Sequence, residues 1–369
     1  MIDVMPTPRF ADLEITSRCN ARCTYCYFRN NQGVVYQDAP TERWLQFMDE
    51  MGRAKALRVS LAGGEPLLRE DIFEIIAAIV RNHMRFELLT NGWPVTHEIA
   101  RRIKETGRCS SIQVSLDGSR PETHEAMRGV GSFEPALQAI KILREAGLPL
   151  TVRVTVHGKN IEDLPATAHL LLDEIGLSSI GTNSVSSLGT HTKYADGAFL
   201  TPAQRLRAMH VLAELDAKYP GRISAAAGPL ADWKMFHAMR AAAQNGKPIP
   251  GRGYLVGCGC IMSRIAVRAD GAYVPCVMLP QMVLGYIGHD PLEEVWRNSP
   301  AFNALRERAS IALTSFEECQ GCAYLQSCTG NCAGTALSIV GEANRPSPEV
   351  CLLKFEKDLE AEGLSLWQP

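Results

Sequence analysis

Three cysteines fall within eight residues, Cys19-x3-Cys23-x2-Cys26 in EITSRCNARCTYCYF. A [4Fe–4S] cluster has four irons and normally takes four thiolates. Three thiolates leave one iron without a protein ligand, and an open metal position is where a substrate or cofactor binds. The other chemistry open to such a group is a zinc knuckle. About forty residues on, the run LRVSLAGGEP ends in Gly63-Gly64-Glu65-Pro66. The run is short, β-rich and stopped by glycines, which predicts a buried parallel strand. A Gly-Gly pair lets a ligand approach the backbone closely. A carboxylate beside it can accept a hydrogen bond from an ammonium group.

The triad spacing with GGEP behind it resembles the signature of the radical S-adenosylmethionine (SAM) enzymes. The resemblance implies that the open iron chelates the amino and carboxylate groups of SAM. One electron then enters the sulfonium, and a 5′-deoxyadenosyl radical abstracts hydrogen from a substrate. Gly63, Gly64 and Glu65 match the family's element for the methionine amino group. Thr90 and Asn91 in FELLTNG, and Ser115 and Asp117 in IQVSLDG, match further SAM contacts by position. Ser115 is expected to donate to the methionine carboxylate and Asp117 to accept from ribose hydroxyls. Tyr25 matches an aromatic whose neighbouring backbone meets adenine. TNG and SLDG are also turn sequences, and Tyr25 can simply shield the cluster from water. Arg128-Gly129 and Arg153 are further candidates, although a buried arginine more often pairs a carboxylate.

A second cysteine set occupies the C-terminal third: Cys258, Cys260, Cys276, Cys319, Cys322, Cys328, Cys332 and Cys351. The spacings Cys258-x12-Gly271-x4-Cys276 and Cys319-x2-Cys322-x5-Cys328-x3-Cys332, then Cys351, resemble the SPASM domain of certain radical SAM enzymes. Eight thiolates suffice for two fully ligated [4Fe–4S] clusters, three clusters in all with the triad. By that resemblance Cys276 and Cys332 hold the inner cluster with Cys258, Cys260 or both. Cys319, Cys322, Cys328 and Cys351 hold the outer one. The family usually has one cysteine at the place of Cys258, so Cys260 is a departure. Structural zinc in two four-cysteine sites is the alternative.

The elements that must position these residues follow from periodicity. Strands are predicted over 10–16, 57–62, 85–90, 111–116, 150–156 and 178–183. Amphipathic helices are predicted over 41–53, 70–83, 95–106, 133–146 and 161–175. Such alternation predicts βαβ units and a parallel sheet. Motifs at strand C-termini suit an α/β fold, a partial (β/α)6 TIM-like barrel, with the cysteine-rich SPASM domain behind it. The expected division is a barrel over 1–225, a bridging helix and linker over 226–257, and the SPASM domain over 258–369. Further helices are expected from Thr201, whose T-P-A-Q has capping-box spacing, from Asp290 as N-cap, and after Pro348. A hairpin is expected between 263–268 and 273–277.

A net charge of −2 over 369 residues argues against electrostatic nucleic-acid binding. No stretch reads as a membrane span or secretory signal, so a reducing cytoplasm is expected for the twelve cysteines. Eleven of them fall in the two sets; the twelfth, Cys109, reads as a small buried hydrophobe.

Three functions remain open. The first is an oxidoreductase that modifies a ribosomally made peptide, by a crosslink or other side-chain oxidation. Only eighteen residues precede the triad. A leader peptide is therefore expected to bind the barrel itself or a separate small recognition protein, as in pyrroloquinoline quinone maturation. An electron donor such as flavodoxin or ferredoxin is implied. The second is modification of a tetrapyrrole or another small molecule. The third is an electron carrier or zinc protein without chemistry of its own, which the open-site triad disfavours. Val277 stands after Cys276, where the resembling sulfatase maturases have an aspartate base, so formylglycine formation is not expected.

Overall fold

The computed structural model describes residues 4–27, 36–187 and 197–367, apart from the side chain of Cys260. Strands β1 (Phe10–Glu14), β2 (Arg58–Ala62), β3 (Arg85–Thr90), β4 (Cys109–Ser115), β5 (Leu150–Val156), β6 (Ile180–Ser184) and β7 (Ile223–Ala225) run in that order across one sheet, all parallel. Helices α1 (Thr41–Arg53), α2 (Ile72–Arg81), α3 (His97–Glu105), α4 (Pro121–Arg128), α5 (Phe133–Glu145), α6 (Leu164–His169) and α7 (Pro202–Lys218) connect them. The barrel does not close. The sheet continues past the other edge of β1 instead, through β8 (Arg264–Val267), β9 (Ala272–Val274) and β10 (Gly285–Tyr286).

Alternation along the strands sorts the side chains. Ala11, Leu13, Val59, Leu61, Phe86, Leu88, Val114 and Val154 are buried in the main core. They pack against helix stripes such as Trp44, Phe47, Met48 and Met51 of α1. The intervening positions, among them Asp12, Glu14, Gln113, Ser115 and Arg153, belong to the other face, the lumen of the open barrel. A smaller core joins α7, α8 (Pro229–Gln244) and α12 (Leu352–Ala361) through Met209, Phe236, Phe355 and Leu359. Three further helices are α9 (Leu292–Asn298), α10 (Pro300–Glu307) and α11 (Ala333–Val340). Among the described residues no helix is long and apolar enough to cross a membrane.

Three local expectations fare differently in the fold. The capping box at Thr201 forms, with Gln204 bonding back to the cap. The one at Asp290 does not. α9 starts at Leu292 after Pro291, the Asp290 carboxylate instead accepts from Tyr286 N, and Glu50 caps Leu292 N. The hairpin is present as antiparallel β8 and β9, but β8 also pairs in parallel with β1. Short β7 and β10 and helix α4 lay below the pattern that periodicity detects.

Candidate active site

The chain leaving β1 reaches Cys19 over a tightly held turn. Ser17 N and Oγ both donate to Asp38, and Thr16 Oγ1 does the same. Gly64 N donates to Thr16 O at 2.8 Å, and Glu65 N to Arg18 O at 2.8 Å. A Cβ on Gly64 would sit 2.1 Å from Arg18 O, and one on Gly63 (φ +124°) 2.5 Å from Thr16 O. The close approach that needs two glycines is therefore of the chain to itself: GGEP clamps the segment entering the triad.

Glu65 is fully buried. Its carboxylate accepts from Thr90 Oγ1 at 2.8 Å, Asn91 N at 2.7 Å and Leu67 N at 3.2 Å. Burial pushes its pKa up to about 7 against the pull of these donors. Thr90 and Asn91 are thus brought to the site through Glu65. Asn91 Nδ2 then reaches Asn20 Oδ1 at 2.7 Å and Cys19 Sγ at 3.8 Å.

Asp117, also fully buried, is the second hub. It accepts from the Tyr25 hydroxyl, from Arg128 Nε at 2.6 Å and from Thr155 N at 2.8 Å. Burial works to raise its pKa, but the Arg128 charge and these bonds hold it below the ordinary carboxylate value. Arg128 also lies over the Tyr25 ring at 5.4 Å, and its carbonyl receives a weak bond from Cys23 Sγ at 3.9 Å. His124 and His157 flank this hub, and burial pushes both imidazoles down to about 4, hence neutral. Ser115 stands opposite Arg153 in the β4–β5 register, half-buried, with no hydrogen bond from its hydroxyl among the described residues. Arg153 donates to Gln113 and to Thr182 O, and burial lowers its pKa.

Glu14 escaped the sequence reading. It is buried at the lumen end of β1 and accepts from Tyr27 at 3.1 Å, with burial pushing it up to about 8. The available signal was an acid two residues after Asp12 in an otherwise apolar strand.

The C-terminal thiols gather in two places. Burial raises the thiol pKa values of Cys319, Cys322 and Cys328, with Cys319 pushed up to about 12, and nearby thiols, Cys351 among them, add to the rise at each. Separately, Cys332 caps α11, and a Cβ on Gly334 would lie 2.6 Å from Met278 Cβ, so this helix start abuts the turn after Cys276. The Gly257 Cβ position lies 3.0 Å from Asn331 O, drawing the Cys258 loop to the same place. Cys258 is exposed; the Cys260 side chain lies outside the described residues. Cys109 is half-buried at the start of β4 and at the margin of the main core, its thiol pushed up to about 12 by burial. Among the described residues no three His, Cys, Asp or Glu side chains converge on a single-ion site.

Residues 13–171 match the model of the radical SAM superfamily, and residues 258–323 that of the SPASM iron–sulfur cluster-binding domain. The chain is 29% identical over 360 residues to the AdoMet-dependent heme synthase of Methanosarcina barkeri (strain Fusaro / DSM 804), spanning 94% of this chain and 97% of the relative. It is 26% identical over 346 residues to the mycofactocin maturase MftC of Mycobacterium ulcerans (strain Agy99), spanning 91% and 86%. The fold is that of Streptococcus suis SuiB, crystallised bound to its precursor peptide SuiA, with a TM-score of 0.73, 15% identity and coverage of 95% of this chain and 77% of that one.

Proposed function

We propose, from the premise that this chain is a radical SAM enzyme carrying a SPASM iron–sulfur domain, that it oxidatively modifies a ribosomally made peptide. Cys19, Cys23 and Cys26 would hold a [4Fe–4S] cluster, which would supply the electron for reductive cleavage of bound SAM. The protein's share is to orient SAM and keep water away. Glu65 has one lone-pair site left beyond its three donors, which fits the methionine ammonium beside the carbonyls of Gly63 and Gly64. Ser115 and Arg153, facing each other across β4 and β5, fit the methionine carboxylate as a hydroxyl donor and a cation. Tyr25, locked by Asp117 and Arg128, fits the adenine side. Asp117 has its carboxylate engaged by three protein donors, so we assign it the positioning of Tyr25 in addition to any ribose contact. The C-terminal cysteines are assigned to two further clusters that take the electron released by the substrate. The electron donor is read as a flavodoxin or ferredoxin, and a leader-recognition protein as a separate chain.

The observation that carries the peptide reading is the charge of the lumen. Arg58 is ion-paired with Glu87, Arg264 with Asp12 and Arg268 with Asp270. With these three cations neutralised and Arg153 given to the methionine carboxylate, the wall is poor for a carboxylate-rich macrocycle, whereas its short polar groups and unclosed edge suit an extended chain. The likeness to mycofactocin maturase supports this. The second reading, a tetrapyrrole substrate, is favoured by the full-length likeness to the heme synthase. Anaerobic incubation with SAM and reductant, against the peptide encoded beside the gene and against iron coproporphyrin III in parallel, separates them. A mass loss of hydrogens from the peptide supports the first reading. Decarboxylation of the porphyrin with an untouched peptide overturns it.

A further inference from the structure

Behind the inner group of C-terminal cysteines lies an arginine that the assigned chemistry leaves unused. Arg308 follows α10 in a single 3-10 turn, Arg308–Ser310, and is 4% exposed. Its Nη1 donates to Asn331 O at 3.3 Å, one residue before Cys332. The same Nη1 lies 3.0 Å from the Gly257 Cβ position, one residue before Cys258. Gly257 N in turn donates to Thr329 O at 3.3 Å, so the two cysteine loops are stitched together around the guanidinium. Asn331 holds φ +63°, a conformation unusual for a residue with a side chain, while it makes these contacts. Cys276 joins from the other side through the packing of Met278 on Gly334.

Its neighbour Arg306 is a useful contrast. Arg306 is 5% exposed, donates to Ile261 O and Trp296 O, and lies over the Trp296 and Phe302 rings at 4.2 and 4.0 Å. It braces α10 against the protein interior. Arg308 instead touches the two cysteine loops. Negative charge near a guanidinium held out of water lowers the cost of its burial. Four thiolates outweigh the charge of a [4Fe–4S] core, so a fully ligated cluster is anionic. Positive charge and sulfur hydrogen bonds beside a cluster favour its reduced form.

We infer that Arg308 is the buried counter-charge of the inner C-terminal cluster and sets its reduction potential, a role that rests on Cys276 and Cys332 being cluster ligands together with Cys258, Cys260 or both. Raising this potential would make the inner cluster the better acceptor for an electron leaving the substrate. Arg308 touches neither SAM nor substrate and acts only through the cluster.

The test is a redox titration followed by electron paramagnetic resonance, with iron content measured on the same samples. Full-length chain with Cys19, Cys23 and Cys26 replaced by alanine removes the SAM-site signal. In that background Arg308→Met, Arg308→Lys and Arg306→Met are compared. Arg308→Met should keep its iron and lower the reduced-to-oxidised ratio of one cluster about tenfold at fixed poise, a shift of about 59 mV for one electron. Arg308→Lys should shift it by less than about threefold, and Arg306→Met not at all. Loss of about four irons in Arg308→Met but not in Arg308→Lys also supports the inference, since only the charge differs in kind. Unchanged potentials with iron intact overturn it, as does equal iron loss in both Arg308 variants, which would make the side chain a brace. Absence of C-terminal iron in the parent chain overturns the ligand reading and this inference together, and is told apart by the iron assay alone.

Discussion

The two cysteine regions are built in opposite ways. At the barrel mouth the triad hangs from a parallel sheet, and its supporting groups are satisfied by the protein. Glu65 takes three donors from β3 and its own turn, and Asp117 takes three from the triad loop, α4 and β5. In the C-terminal third the cysteines lie on or next to 3-10 turns such as Glu317–Cys319, Leu325–Ser327 and Pro348–Val350. Sulfur contacts there come from backbone amides, such as Gly330 N to Cys328 and Met278 N to Cys276. The first region is held by side-chain hydrogen bonds anchored in the sheet. On the proposed ligation the second would be held in part through its thiols, so that binding energy there would be folding energy.

The sharpest break of this contrast is chemical. Replacing Cys19, Cys23 and Cys26 together by alanine should abolish reductive SAM cleavage and remove about four of about twelve irons. The remaining irons should stay, because no C-terminal ligand is touched. Iron analysis and 5′-deoxyadenosine assay check this, and 5′-deoxyadenosine above a no-enzyme control would sink it. Stripping all iron tests the other half. Hydrogen exchange should then speed up across 317–351, while β1 to β6 keep their protection. Equal loss in both regions would erase the distinction drawn between them.

Two substitutions probe how firmly the sheet holds the first site. Gly64→Ala puts a methyl 2.1 Å from Arg18 O, so the segment entering the triad must move. A displacement near 1 Å from the reacting centre costs about 100-fold in rate. SAM cleavage should therefore fall by about that factor with iron content near normal, and a wild-type rate would show that the clamp is slack. Asp117→Asn leaves the buried Arg128 without its counter-charge, which costs about 3–5 kcal/mol, read as a lower unfolding midpoint. Asp117 is held below its unfolded pKa. Its contribution is thus present above the unfolded value and is lost as pH falls through the folded one. The variant and the parent should accordingly converge in stability only in acid.

The same division governs what the sequence disclosed. Strand and helix periodicity located six strands and the motifs at their ends, because each strand has a core face and a helix to cover it. It missed β7 and β10, of three and two residues, which carry too few side chains for a period. The resemblance to radical SAM enzymes, not periodicity, assigned Thr90, Asn91, Asp117 and Tyr25 to the site by position. Their partners were beyond it: that Asp117 binds Tyr25 and Arg128 depends on α4 folding back over the triad, a long-range arrangement with no local signal. Cysteine spacing grouped the C-terminal thiols, while Arg308 carried no signal, since burial of an arginine is decided by the loops around it.

The smallest expected effect concerns Glu65 and separates its two duties. Three protein donors tie it to β3, so an isosteric Glu65→Gln keeps much of the clamp while removing the charge. Its folded pKa is raised from 4.5 to about 7. The folded protein thus holds a proton that the unfolded chain has already released, and folding stability contributed by this group falls as pH rises from about 4.5 to 7. An ammonium beside the carboxylate favours its charged form. SAM affinity of the parent should therefore rise with pH across neutrality, as ionisation ceases to be a cost of binding. A charge-assisted hydrogen bond contributes about 1.5–3 kcal/mol, so Glu65→Gln should bind SAM about tenfold more weakly above pH 7. Its pH dependence there should also be flatter. Calorimetric titration of iron-loaded protein with SAM at several pH values reads both. A variant with parental affinity and an unchanged pH slope would leave Glu65 as a tie between β2 and β3 alone, and the methionine ammonium to the glycine carbonyls.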